Sequence, residues 1–189
     1  MKKFLMVCCL MMCAGTLFAD SLVLYFSRAD ENYGVGYIEK GNAAIVAEMI
    51  AAKTGSDMFQ IVPEKAYPAE YKKCTDIALT EKNNKARPAY IGDVDVSKYD
   101  TIYICYPIWW GDFPMVMYTF FESHDLNGKT LIPFVTHEGS GVSGTDKSLA
   151  RLYKNASVKE ALAIRGTAVQ KDRKGTETSV DKWLKKVSN

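Results

Sequence analysis

The sequence predicts an α/β protein with a three-layer, doubly wound sheet of five parallel strands. Short runs rich in β-branched and aromatic residues alternate along the chain with amphipathic stretches. Several of these runs are apolar at nearly every position, as expected for strands that helices cover on both faces. A length of 189 residues, 48% of them hydrophobic, suits one domain with a sizeable core.

The first part of the pattern contains two strands and two helices. Residues 22–26 (LVLYF) predict the first strand. A helix follows from Asn42, a suitable N-cap, to just before Gly55, a suitable C-cap. Residues 57–62 (DMFQIV) predict the second strand, and the next helix runs from Pro68 to about position 85.

The second part supplies the remaining three strands. Residues 101–106 (TIYICY) and 131–136 (LIPFVT) predict strands three and four, and Pro114 suits the first position of the helix between them. A short helix over 145–153 and a short strand over 161–165 follow. The final helix carries an i, i+3, i+4, i+7 stripe that is typical of packing on a sheet: Val180, Trp183, Leu184 and Val187.

The first 19 residues resemble a signal peptide. A basic start (MKK) precedes an apolar run over 4–18 and the small residue Ala19, after which we expect cleavage. The run is marginal as a permanent anchor, so membrane contact is expected only through an uncleaved leader. Lipidation of Cys13 is disfavoured because Met12 before it is large. We therefore expect a periplasmic or secreted protein with one domain over 20–189.

The composition argues against several classes of protein. Loss of the leader removes two of the 24 lysines and arginines, which leaves a balance with the 22 aspartates and glutamates. No nucleic-acid partner is expected from such a balance. Cys74 and Cys105 are expected to be free core residues rather than a disulfide. With only His124 and His137 besides them, no metal-ligand spacing is present.

Ligands of such sheets bind beyond the carboxyl ends of the strands, so the loops after strands one, three and four are the candidates. The loop after strand one leads into the helix at Asn42, whose free amide groups attract phosphate. Ser27 and Asn42 could add polar side chains. No lysine follows a GxxxxG sequence, so the NTPase phosphate loop is absent. An ordinary N-cap with a surface loop remains the alternative.

The loop after strand three has the sequence PIWWGDFP over 107–114. Large flat rings at the end of a strand can flank a flat heteroaromatic ligand. The alternative is that both Trp109 and Trp110 belong to the core. We expect only one of them to do so, because adjacent loop residues rarely point the same way.

The loop after strand four contains Gly139, Gly141 and Gly144, which together spell GxGxxG. We do not interpret it as the dinucleotide fingerprint. That motif belongs to the first strand–helix turn with an acid ending the next strand, whereas Glu160 precedes strand five. We interpret the glycines as allowing backbone amides to approach a ligand closely. For His137, a loop residue bonded to backbone or solvent is at least as compatible with the sequence as a catalytic role.

Taken together, these loops resemble the flavodoxin-like family, and within it a short bacterial branch with an exported leader. The resemblance spans nearly the whole chain after the leader. Its specific segments are YPIWW at 106–110 and THEGSG at 136–141. The other matching segments are LVLYFSR at 22–28, GNAAIVAEMIA at 41–51, YPAEY at 67–71, RPAYIGDV at 87–94 and VDKWL at 180–184.

The resemblance implies a parallel sheet with strand order 2-1-3-4-5 and FMN at its carboxyl edge. Ser27, Asn42 and Ala43 would then lie at the FMN phosphate, with Arg28 beside them among the cofactor-binding residues. The isoalloxazine ring would be lined by Pro107, Ile108, Trp109 and Trp110. The opposite wall would be formed by Thr136, His137, Glu138, Gly139 and Gly141.

Two departures from the family pattern bear on the cofactor. Residues 29–40 are inserted where flavodoxins usually have a compact hydroxyl-rich loop, and we interpret them as a flap over the site. Ala43 stands where a hydroxyl residue is expected after Gly-Asn. A lost hydrogen bond to a charged acceptor costs about 1.5–3 kcal/mol, so weak FMN binding is expected.

The resemblance implies an FMN-binding redox protein that transfers electrons or reduces a quinone-like small molecule. Whether it is an enzyme stays open, with an FMN-dependent oxidoreductase of the NAD(P)H or quinone type as the candidate. Outside the cytoplasm a protein or quinol donor is more plausible than a nicotinamide cofactor. The alternative is a binding module with weak or no FMN. A hydrolase using Ser140 or His137 is disfavoured because no acid–base partner set accompanies them.

Overall fold

The computed structural model describes residues 21–187. Its strands are β1 (Ser21–Tyr25), β2 (Asp30–Asn32), β3 (Gly36–Ile38), β4 (Asp57–Gln60), β5 (Val62–Pro63), β6 (Tyr90–Ile91), β7 (Thr101–Pro107), β8 (Thr130–His137), β9 (Ser157–Val158) and β10 (Leu162–Arg165). Its helices are α1 (Asn42–Thr54), α2 (Tyr71–Asn83), α3 (Met115–Ser123), α4 (Thr145–Leu152), α5 (Gly166–Lys171) and α6 (Arg173–Val187), with a 3₁₀ turn at Val96–Lys98.

The central sheet has the order β10-β8-β7-β1-β4, with every neighbouring pair parallel. Counted along the chain, its five main strands therefore follow the order 2-1-3-4-5, which confirms the predicted topology. Short β9 also pairs with β8 and shares one edge of the sheet with β10. Two further two-stranded sheets, β2-β3 and β5-β6, lie outside this order.

Each face of the sheet has its own apolar core. Leu22 and Leu24 of β1 pack with α3 and α4 on one face, whereas Val23 packs with α1, α5 and α6 on the other. This division follows from the alternation of side chains along a strand. The predicted stripe of the last helix is buried as expected, with Val180 and Trp183 at its centre. Helices on both faces confirm the three-layer prediction.

Several predicted boundaries were wrong. The second strand ends at Gln60, and Val62–Pro63 leaves it to pair antiparallel with Tyr90–Ile91. The second helix begins at Tyr71 rather than Pro68. The Arg28 guanidinium binds the carbonyl oxygens of Pro68 and Ala69 at 2.6 Å and 2.5 Å, and these two residues remain outside the helix.

The start of α1 also differs from the prediction. Asn42 is its first helical residue, Gly41 is the N-cap, and the Ser27 hydroxyl accepts a hydrogen bond from the amide of Ala44 at 3.0 Å. A side chain at Gly41 would overlap Ser27 Oγ and the Arg28 carbonyl, so only glycine fits here. In α3, Pro114 is likewise the N-cap rather than the first helical residue.

Cys74 and Cys105 are free and buried, as predicted. The predicted leader over 1–19, its cleavage after Ala19 and a lipid on Cys13 lie outside the described residues. In the range 21–187 no helix is long and apolar enough to span a membrane. No cluster of three or more histidine, cysteine or acidic side chains suited to a metal ion occurs in that range.

Candidate functional site

A cleft of about 260 Å³ lies at the carboxyl ends of β1, β7 and β8. It is the place where the strand order reverses, and where doubly wound sheets bind ligands. Loops after all three strands contribute to it, together with β2 and the first half of α2. Its lining residues are Arg28, Asn32, Tyr33, Asn42, Tyr71, Cys74, Thr75, Ala78, Pro107, Ile108, Trp109, Trp110, Thr136, His137 and Glu138.

Nine of the residues singled out from the sequence line this cleft, and four do not: Ser27, Ala43, Gly139 and Gly141. The Ser27 hydroxyl is occupied in capping α1. Ala43 is only 2% exposed and belongs to the buried side of that helix. The two glycines lie farther out in the loop after β8.

The two tryptophans have different environments. The Trp109 ring stands edge-on to Phe26 at 5.2 Å and to Tyr67 at 4.9 Å, so one side of it is anchored in the core. Trp110 is 49% exposed, and its indole N–H donates to the Thr75 carbonyl at 2.9 Å. The expectation that only one of the pair belongs to the core is therefore correct.

A tight turn presents Trp110 at the cleft. Trp109 and Asp112 exchange two backbone hydrogen bonds of 2.9 Å and 3.0 Å, and the residues between them, Trp110 and Gly111, have φ values of 52° and 75°. Positive φ at both central residues is the I′ geometry, which favours asparagine, aspartate and glycine. A tryptophan there is strained, and such strain is concentrated at functional sites. Sequence reasoning missed this turn because the usual Asn-Gly signal is absent.

The inserted residues 29–40 form a hairpin of β2 and β3, and Asn32 and Tyr33 at its turn line the cleft. The hairpin is fixed to the start of α2, because the Glu31 carboxylate accepts a hydrogen bond from the Tyr71 amide at 2.8 Å. At the turn, Gly34 packs so closely against Glu138 that a side chain added at Gly34 would crowd it. The insertion thus forms a wall of the cleft, as the flap interpretation anticipated.

Arg28 connects the hairpin to the rest of the site. Its two terminal nitrogens donate to the carbonyl oxygens of Glu31, Pro68 and Ala69. Its Nε is buried and has no hydrogen-bond partner within the described residues. A buried donor without a partner costs about 1–3 kcal/mol, so an acceptor supplied by a ligand would relieve that cost.

On the opposite wall, His137 and Glu138 hold the backbone. His137 Nδ1 accepts from the Gly139 amide at 2.9 Å, and Glu138 accepts from the amide and the hydroxyl of Thr167. Partial burial, with a smaller contribution from the Arg165 charge, lowers the pKa of His137 despite the nearby Glu138. His137 is thus bonded to backbone, as one of the two interpretations of this residue expected.

The glycines after β8 serve the backbone conformation of this loop. Gly139, Gly141 and Gly144 have φ values of 136°, 60° and 75°, which other residues adopt only with strain. No protein atom lies within 4 Å of a side chain built at any of the three. Conformation favours glycine at these positions, and the open space around them leaves the close approach of a ligand a prediction.

The α2 residues of the cleft were missed as site residues for a physical reason. Tyr71, Cys74 and Ala78 share one face of the helix, and Cys74 among them was expected to belong to the core. In the structure that face lies toward the tryptophan loop rather than the sheet. Burial raises the pKa of the Cys74 thiol, so the thiol is neutral at the cleft wall. Only the packing of α2 could have distinguished a cleft wall from a core.

The fold and cleft define a doubly wound α/β protein with a ligand site at its topological switch point. The flavodoxin family matches residues 32–187, so the chain belongs to that family. No curated protein sequence matches it.

Solved structures agree with this assignment. A candidate flavoprotein of Bacteroides eggerthii is 28% identical with a TM-score of 0.71, covering 90% of this chain and 99% of that one. One of Bacteroides uniformis is 29% identical with a TM-score of 0.67, covering 88% and 98%. A flavoprotein of Lactobacillus acidophilus solved in complex with FMN is 23% identical with a TM-score of 0.62, covering 88% and 99%, and shares the fold.

Proposed function

We propose that this protein binds FMN in the cleft and acts as a redox protein that transfers electrons or reduces a quinone-like small molecule. The observation that carries the proposal is the convergence of two walls at the switch point of a flavodoxin sheet, one bearing Trp109 and Trp110 and the other bearing His137 and Glu138. Family membership and the FMN complex of the Lactobacillus acidophilus flavoprotein support it.

The residues present fit such a group. Arg28 lines the cleft and brings a positive charge to it, and its buried Nε has no hydrogen-bond partner within the described residues. Ala44 donates to Ser27 and Ile45 to Gly41, which leaves the amides of Asn42 and Ala43 for an anion at the helix start. We propose that these groups hold the phosphate and that the tryptophan loop and the segment from Thr136 to Glu138 flank the ring.

FMN in this cleft would supply one- and two-electron redox chemistry. The chain's own residues would position the cofactor and exclude water from it. The Trp109 ring is anchored on Phe26 and Tyr67, so it presents a fixed apolar surface. An apolar wall opposes the addition of negative charge beside it, because burying charge without a partner is costly. We therefore propose that this wall lowers the redox potential of the bound cofactor.

A binding module with weak or no FMN remains a second candidate, and one observation favours it. Ala43 offers no hydroxyl, and the Ser27 hydroxyl already accepts the Ala44 hydrogen bond. One expected phosphate contact is thus missing at Ala43, and the Ser27 hydroxyl keeps its O–H as a donor for the other. We also propose export from the cytoplasm, on the evidence of residues 1–19, and a protein or quinol as electron donor.

A titration of the purified protein with FMN tests the proposal, following flavin absorbance and tryptophan fluorescence. We expect saturable binding that Arg28→Gln weakens and that the exposed Arg87→Gln, outside the cleft, leaves unchanged. Anaerobic reduction with dithionite and then with NADPH distinguishes a shuttle from a nicotinamide-dependent enzyme. If FMN fails to bind even at high micromolar concentration, the redox function is wrong and the binding module takes its place.

A further inference from the structure

The described chain is electrically polar along its length. Residues 147–187 hold eleven lysines and arginines against four aspartates and glutamates, whereas residues 21–146 hold eleven against seventeen. The net charges of the two parts are therefore opposite and of similar size. The overall balance of charge hides this separation.

The fold turns this separation along the chain into a separation in space. Residues 147–187 comprise most of α4, together with β9, β10, α5 and α6. These elements lie on the side of the sheet that ends in β9 and β10, with α4 on one face and α5 and α6 on the other, where Trp183 of α6 also reaches Tyr103 of β7. We call the exposed lysines and arginines of this segment the basic edge.

The four acids of this segment leave most of the basic edge without a carboxylate partner. Glu177 and Asp181 both pair with Lys53 of α1, and Asp172 accepts a hydrogen bond from the Gly175 amide. Glu160 pairs with Lys186. Within 21–187, no ion pair to a carboxylate is formed by Lys147, Lys154, Lys159, Arg165, Lys171, Arg173, Lys174 or Lys182.

Like charges gathered without partners repel one another and create a field that steers an oppositely charged molecule. The basic edge also reaches the cleft. Arg165, the last residue of β10, is paired in register with His137, which lines the cleft. A molecule docked on this edge would therefore stand beside the ligand site.

The chemistry of the edge favours a protein over a lipid surface. A helix that lies on a membrane inserts an apolar face, but Val180, Trp183, Leu184 and Val187 of α6 are all buried against the sheet. Among the described residues of this segment, Leu152 is the large apolar side chain with substantial exposure. No exposed aromatic ring accompanies the charges to stack on the bases of a single-stranded nucleic acid.

We propose that the basic edge is a docking surface for a protein with an acidic surface, placed so that the docked partner meets the rim of the cleft. The docking depends on the charges and not on the cofactor, so it stands or falls separately from FMN binding. We expect the acidic partner to be recognised by Lys171, Arg173 and Lys174 at the α5–α6 junction, together with Arg165 and Lys182.

Fluorescence anisotropy with a labelled acidic plant-type ferredoxin as the probe tests the proposal, in the absence and presence of FMN. Raising the ionic strength from about 0.01 M to about 0.15 M shortens the Debye length from about 30 Å to about 8 Å and should weaken binding strongly. Lys171→Glu with Lys174→Glu should weaken binding about tenfold at the lower ionic strength. The matched charge reversal Lys65→Glu with Lys85→Glu, outside the basic edge, should change it little.

All four lysines are exposed, and circular dichroism checks that both variants are folded. Lys171→Gln with Lys174→Gln should give an intermediate loss. Equal loss in both charge-reversal variants, or no binding of the acidic probe by the folded wild-type protein at the lower ionic strength, overturns the proposal. Tighter retention by vesicles of phosphatidylcholine and phosphatidylglycerol, by duplex DNA or by a second copy of the chain also overturns it.

Discussion

The two loops that face each other across the cleft are held in different ways. The tryptophan loop, 107–114, is tied to neighbouring helices: the Trp110 indole donates to Thr75 of α2, Lys82 donates to the Trp110 carbonyl, and Asp112 accepts from the Tyr118 hydroxyl. The glycine loop, 138–144, depends mostly on bonds within itself, such as Ser143 to the Ser140 carbonyl. It is linked to other elements where Glu138 accepts from the Thr167 amide, and where the carbonyls of Val142 and Gly144 accept from the start of α4.

This difference teaches that one wall of the cleft is fixed by tertiary packing and the other by backbone conformation. The tryptophan wall is pre-organised, so a planar ligand meets a surface that already has its final shape. The glycine loop relies on glycines, which adopt positive φ without strain. Substitutions in the two loops should therefore change different quantities.

The largest effect is expected from Trp109→Ala. Removal of this half-buried ring leaves Phe26 and Tyr67 without their edge contacts. We expect the free energy of unfolding to fall by about 2–4 kcal/mol, toward the lower end of the range for buried aromatic residues. Urea denaturation measures it. Val142→Ala in the glycine loop, which removes two methyl groups, should cost about 1 kcal/mol. Equal losses would show that the two walls are held alike.

Next in size are Gly111→Ala and Gly144→Ala. Both glycines have φ of 75° and open space around them, so only backbone strain opposes an added methyl group. We expect each substitution to lower the free energy of unfolding by about 1 kcal/mol. The exposed Ser140→Ala serves as the control and should have no effect. If Gly144→Ala lowered the free energy of unfolding far more than Gly111→Ala, the glycine loop would be crowded at Gly144.

Trp110→Asn separates stability from ligand binding. Asparagine suits the I′ turn, so the relief of strain offsets the lost indole bond to Thr75. We expect the free energy of unfolding to change by no more than about 0.5 kcal/mol. FMN affinity should fall about tenfold, as for loss of 1.4 kcal/mol of stacking. Thermal denaturation and a flavin titration on the same samples measure both, and a large loss of stability without loss of affinity would contradict this separation.

The smallest effect concerns the protonation of His137. Its pKa in the folded protein lies below the ordinary value of 6.5, mainly because of partial burial. The unfolded chain therefore binds this proton more readily, and the contribution of neutral His137 is complete above 6.5 and decreases as the pH falls below it. Between about pH 7.5 and about pH 5 the wild type should lose more stability than His137→Gln. Parallel urea midpoints for the two proteins would refute this.

Much of the fold could be predicted because its signals are local. The runs at 22–26 and 101–106 show strands directly, and Gly55 marks the end of α1 with φ of 69°. The loops after β7 and β8 were assigned to the site because parallel strands bring their carboxyl ends to one edge. Resemblance to a family added the strand order.

The rest could not be predicted because it depends on contacts between residues distant in the sequence. Arg28 reaches the carbonyl oxygens of Pro68 and Ala69, and that contact accompanies the later start of α2. The Ser27 hydroxyl accepts a hydrogen bond from the Ala44 amide across sixteen intervening residues, a contact that no local pattern indicates. The charge of residues 147–187 is visible in the sequence, but its gathering at one sheet edge is not.

The sequence by itself determined the class of protein, the parallel sheet and the three strand-end loops that border the cleft. Apolar periodicity, turn residues and the position of a loop after a strand are properties of neighbouring residues, and they can be read along the chain. Tertiary structure alone decided that Tyr71, Cys74 and Ala78 line the cleft and that Trp110 occupies a strained turn. The physical reason is that a side chain's role depends on what packs against it, and that partner lies elsewhere in the chain.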